Sequence, residues 1–138
     1  MISLILISIA SILNAAMDVV SHHYHDSFFS LLDNDNYFNP KKSWKNKYVN
    51  GDVSQGRKKF LGVTIHVSFT DFWHLCKSLM IVLICISIAV SNPIFLFPLQ
   101  KTVWIIELMN IITHVFIYGV AWNVMFSLFY NKVLRLKK

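Results

Sequence analysis

Phe60–Pro93 reads FLGVTIHVSFTDFWHLCKSLMIVLICISIAVSNP, a polar, histidine-bearing half followed by an apolar half. Leu79–Val90 carries no charged residue, and extending back to Phe72 adds only His74 and Lys77. About 19 residues, each rising about 1.5 Å, suffice to cross a bilayer core of roughly 30 Å. The stretch is therefore read as a transmembrane helix over residues 67–90. Ser91-Asn92-Pro93 ends it, because proline cannot continue the hydrogen-bond ladder and restricts the residue before it. His66, Asp71, His74 and Lys77 fall at its polar front, at the membrane surface.

Two further apolar runs flank this one, giving spans at 2–20 and 102–130. The first lacks the basic leader of a signal peptide, and its charges follow the apolar run, so an uncleaved anchor is expected. The third is interrupted by Glu107, Asn110, His114 and Asn123, and Ile94–Gln100 makes a short apolar turn before it. Between the first two spans, residues 21–66 form the long polar segment. Asp26 or Ser27 is placed to cap a short helix through Phe28, Phe29, Leu31 and Leu32. Tyr37, Phe38, Trp44 and Tyr48 then suit a loop lying along the headgroup layer, where aromatic rings are favoured. The expected fold is all-α: one integral membrane domain over 1–138, a three-helix bundle with an interfacial loop between helices one and two.

The composition agrees. The chain has 138 residues, 55% hydrophobic and only 14% charged, a balance that soluble domains seldom carry. Its net charge of +6 is concentrated: seven of 13 Lys/Arg lie between Lys41 and Lys59, and four lie in the last eight residues. Base-stacking motifs are missing, so this charge is not a nucleic-acid footprint. The positive-inside rule instead puts both basic segments in the cytoplasm, with the N-terminus outside and the C-terminus inside. Cys76 and Cys85 are nine residues apart in one helix and point to opposite faces, so they cannot pair.

Each span carries an acid and a histidine. Ionisable groups in hydrocarbon are costly and usually face the bundle interior. Counting depth from the outer helix ends puts Asp18 and His74 about 24 Å in, and His22 and Asp71 about 29–30 Å in. His114 falls about 18 Å in on the same count, while Glu107 belongs to the outer surface. Asp18, His22, Asp71 and His74 are thus expected to converge near the cytoplasmic face, with His114 beneath them. Three readings follow. Carboxylate and imidazole at i,i+4 or i,i+3 suit a divalent metal such as zinc, iron or manganese. Asp–His pairs also suit proton or ion handling, for which three helices would need to oligomerise. The third reading is interhelical hydrogen bonding alone, with Asp18 to Lys77 and His74 to Asp71, as in an accessory subunit of a membrane complex. Trp44, Lys45 and Lys47 suit an anionic headgroup or a lipid-like, phosphate-bearing substrate lying over the cluster. Whether the chain is an enzyme stays open at this point.

At SWKNKY (Ser43–Tyr48), Gly51-Asp52, TDFWHLCK (Thr70–Lys77) and NAAMDVVSHHY (Asn14–Tyr24), the chain resembles a group of small, uncharacterised bacterial and phage-encoded membrane proteins. The resemblance covers roughly residues 14–80 and leaves the third span unmatched. It implies a small inner-membrane protein. It carries over no activity and no catalytic residue.

Overall fold

The computed structural model describes residues 1–91 and 104–136. Three long helices dominate: α1 (Ile2–His23), α4 (Phe72–Ser91) and α5 (Trp104–Leu128), the last continued by a π-helical turn at Phe129–Val133. All three are long and apolar enough to cross a membrane. Between α1 and α4 lie two one-turn helices, α2 (Asp35–Phe38) and α3 (Pro40–Ser43), several 3-10 turns, and a two-stranded hairpin, β1 (Lys59–Phe60) and β2 (Val63–Thr64). The all-α reading holds for the bundle, and the hairpin is an addition to it. The expected apolar turn at Ile94–Gln100 lies outside the described residues, as does the Glu107 side chain.

The helix α1 lies at the centre, packed against α4 on one side and α5 on the other, while α4 and α5 scarcely touch. Small buried residues make this close approach possible: Ser3, Ala10, Ser11, Ala15 and Ala16 line α1. Hydroxyls then tie the helices. Ser11 donates to the Trp122 carbonyl at 2.6 Å. Ser87 donates to the Ser3 carbonyl at 3.1 Å, and the Tyr118 hydroxyl meets Ser3 Oγ at 2.6 Å and Ser91 Oγ at 3.0 Å. Each such contact satisfies a polar group that would otherwise be costly to bury.

The loop is a cap seated on the start of α4. Phe29 and Phe38 meet Phe72 at ring-centroid distances of 4.8 and 5.0 Å, and Tyr37 edges onto the same ring. Ala16, Val19 and Val20 of α1, with Tyr24 just after it, complete this core. Phe38 is therefore a packing residue of the cap, where a headgroup anchor was expected. Locally, Asn39 starts α3 by accepting from the Lys41 amide at 3.0 Å, with Pro40 preset for the first helical position. Ser27 does not cap the turn after it, and donates instead to the Tyr24 carbonyl at 2.7 Å.

The chain end returns to this cap. The Phe28 amide donates to the Leu134 carbonyl at 2.9 Å and the Leu136 amide to the Asp26 carbonyl at 2.8 Å. Both basic segments thus stand at one end of the bundle, the loop end.

Two boundaries differ from the sequence expectation. The second helix begins at Phe72 rather than at residue 67, because Val67–Phe69 closes a separate 3-10 turn with the His66 side chain at its cap. The first runs on to His23.

Candidate functional site

Asp71 stands one residue before α4, and that position defines the site. Its Oδ1 accepts from the His74 amide at 2.9 Å, a helix-capping contact three residues on. The same carboxylate meets His74 Nδ1 at 2.9 and 2.7 Å, and the Thr70 hydroxyl adds a fourth contact at 3.2 Å. A carboxylate has acceptors only, so Nδ1 donates in this pair and Nε2 takes no part in it. Asp71 is 1% exposed, whereas the His74 side chain is 33% exposed. Among the described residues Nε2 has no hydrogen-bond partner, so a buried acid holds a partly exposed imidazole. Burial first, then Cys76 and Asp71, hold the Tyr37 phenol above its ordinary value.

A basic pocket adjoins this pair. It is open, about 400 Å³ in volume, and lined by Asn36, Lys41, Lys42, Lys45, Asn46 and Lys58 among others. Asn46 joins the two: its Nδ2 donates to the Asn36 carbonyl at 2.8 Å and to the Thr70 carbonyl at 3.0 Å. The residue beside Asp71 is thereby fixed to the pocket wall. Lys42 is hydrogen-bonded to Asp35 and holds that carboxyl at about 2, assisted by Tyr24 and Asn39. Among the described residues Lys41, Lys45 and Lys58 have no carboxylate partner.

The expected convergence of Asp18, His22, Asp71 and His74 does not form. Among the described residues no three His, Cys, Asp or Glu side chains come together as metal ligands. Asp71 and His74 meet, but two ligands fall short of the three or four a zinc site uses. The zinc, iron or manganese reading is therefore corrected to a two-residue acid–imidazole pair. The cause is azimuth. Ala16, Val19 and Val20 form the α1 stripe in the core, and at about 100° per residue Asp18 and His22 fall on the opposite arc. His22 is exposed, and Asp18 is half-buried with no polar partner among the described residues. Lys77 does not reach Asp18, lying instead over the Trp73 ring at 4.9 Å.

His114 is corrected by depth. It shares an open cavity with Met1, Ser3, Leu4, Ser91 and Tyr118, at the bundle end opposite His74. The depth count took all three helices to start flush. Because Tyr118 pairs with Ser3 and Ser91, α5 is displaced along the bundle, and its first turns run past Met1. The His114 ring donates from Nδ1 to the Asn110 carbonyl of its own helix at 2.8 Å.

Of the cap residues expected to bind an anion, Lys45 lines the pocket, while Lys47 lies over the Tyr48 ring and Trp44 is exposed beside Lys45. Sequence reasoning missed Lys41, Lys42, Asn46 and Lys58, which assemble only when the turns of the cap fold back. His23, outside that candidate set, meets the Tyr130 hydroxyl through Nε2 at 2.9 Å and joins α1 to the π turn. No protein-family model matches the chain, and no curated protein or solved structure is significantly similar to it.

Proposed function

We propose that this chain is a multi-pass inner-membrane protein whose Asp71–His74 pair performs acid–base chemistry at the cytoplasmic face on an anionic, lipid-like substrate. The observation that carries this reading is the buried Asp71 carboxylate holding His74 Nδ1, with Nε2 outside the pair. In this reading Nε2 takes a proton from water or from a substrate hydroxyl, and Asp71 stabilises the imidazolium that forms. Lys41, Lys45 and Lys58 attract the substrate's anionic group, and α1, α4 and α5 anchor the site in lipid. The joined basic segments supply the cytoplasmic orientation by the positive-inside rule.

The test is turnover of phosphate-ester lipids by the purified chain in nanodiscs. His74→Gln is expected to lower the rate by about 10²–10⁴-fold, the usual contribution of a general base. Lys45→Gln is expected to raise KM with a smaller effect on kcat. Equal rates in wild type and His74→Gln contradict the reading.

A second reading, an accessory subunit of a membrane complex, is favoured by α5. None of its apolar span is buried within the chain, and it exposes Asn110, His114 and Asn123. Photocrosslinking from Phe116 to a stoichiometric partner supports that reading.

A further inference from the structure

The hairpin before α4 presents apolar residues that none of the described residues covers. Lys59 pairs with Thr64 and Phe60 with Val63, leaving Leu61-Gly62 as a two-residue turn. Both turn residues are left-handed, at φ 49° and 82°. That geometry normally selects asparagine and glycine, and a leucine there is backbone strain. Leu61 is 89% exposed, and Phe60, Val63 and Phe69 are 69–76% exposed. Among the described residues nothing packs on this strained leucine at the hairpin's tip. Phe60, Val63, Ile65, His66 and Phe69 line an open apolar cleft of about 360 Å³ beside it.

Two neighbours say what covers this patch. Arg57, Lys58 and Lys59 form a basic collar at the base of the hairpin. Phe69 lies three residues before Phe72, where a helix long and apolar enough to cross a membrane begins. The patch is thus continuous with a lipid-facing helix, and its collar complements anionic headgroups. An apolar tip behind a cationic rim is the composition of interfacial membrane anchors.

We propose that the Arg57–Phe69 hairpin inserts its Phe60–Val63 tip into the interfacial layer of the bilayer on the loop side, with Arg57, Lys58 and Lys59 against anionic lipid phosphates. The insertion holds the cap, and with it the basic pocket, down on the membrane surface. This inference rests on α4 spanning the membrane and is independent of any chemistry at His74.

The test uses the full chain in nanodiscs of three parts phosphatidylcholine to one part phosphatidylglycerol, with Cys76 and Cys85 replaced by alanine. Nitroxide labels are attached singly through Val63→Cys, Phe69→Cys, Ser54→Cys and Ile81→Cys. Collision with oxygen and with a water-soluble nickel complex is read by electron paramagnetic resonance. Labels at 63 and 69 are expected to favour oxygen, as the Ile81 label does, while the Ser54 label favours nickel. Removing phosphatidylglycerol is expected to make the label at 63 shallower. Nickel access at 63 and 69 equal to that at 54, with Ile81 still shielded, overturns the hairpin proposal. Nickel access at Ile81 overturns the spanning reading itself. Agreement between 63 and 69 separates insertion from damage to the hairpin, since Phe69 lies outside both strands.

Discussion

Asp71 does two jobs with one carboxylate. It starts α4 by accepting from the His74 amide, and it orients the His74 ring. Asp71→Ala is therefore expected to destabilise the protein by about 1–3 kcal/mol, through a lost cap and a half-buried imidazole donor left unpaired. Thermal unfolding in detergent measures this. Asp71→Asn keeps an acceptor oxygen for the amide and is expected to lose less. Asp35 offers a separate check by pH. Its carboxyl is held at about 2, first by Lys42 and then by Tyr24 and Asn39. Because the folded value is depressed, the clamp's contribution is present above an ordinary value of about 3.9. It is lost as pH falls through the folded value. Carboxyl carbon NMR is expected to show a midpoint for Asp35 near 2, and Lys42→Ala is expected to move it up toward the ordinary range. A midpoint unchanged by Lys42→Ala contradicts the assignment of cause.

At the scale of elements, the α1 interface depends on small side chains. Ala15 is fully buried, so Ala15→Leu is expected to cost about 1–3 kcal/mol through overpacking. Leu at exposed Ile9 serves as the neutral comparison in the same thermal assay. Tyr118→Phe removes a hydroxyl shared by Ser3 and Ser91, and is expected to cost about 0.6 kcal/mol and at most about 1.7. The three long helices were legible in the sequence because their apolar runs exceed any other use of such length. The pairing of Asp71 with His74 was legible too, since i,i+3 spacing brings them together whether Asp71 sits inside the helix or caps it. What could not be read was relative placement. Helix faces are fixed by spacing, but which face meets a neighbour depends on the packing of Ala16, Val19 and Val20. Axial offset depends on the Tyr118–Ser3 contact, which no count from a helix end reveals. The pocket lysines span Lys41–Lys58, and only the folded turns bring them to one wall.

Across the whole molecule, one end carries nearly everything chemical. The cap, the basic pocket, the Asp71–His74 pair and the returning tail all stand at the loop end. The opposite end holds the serine–tyrosine ties and His114. Cysteine accessibility in intact cells is expected to put Ser54→Cys and Leu136→Cys on the same, cytoplasmic side. Opposite sides contradict the hydrogen bonds that join residues 26–28 to 134–136.

The account turns on the protonation geometry of one ring. Nitrogen-15 NMR of the chain with labelled histidine, assigned by His74→Gln, reads it directly. The predicted result is a His74 ring with a proton held on Nδ1, a preference that weakens in Asp71→Asn. A ring whose only proton is on Nε2, or a preference indifferent to Asp71→Asn, would contradict the claim that Asp71 orients this histidine.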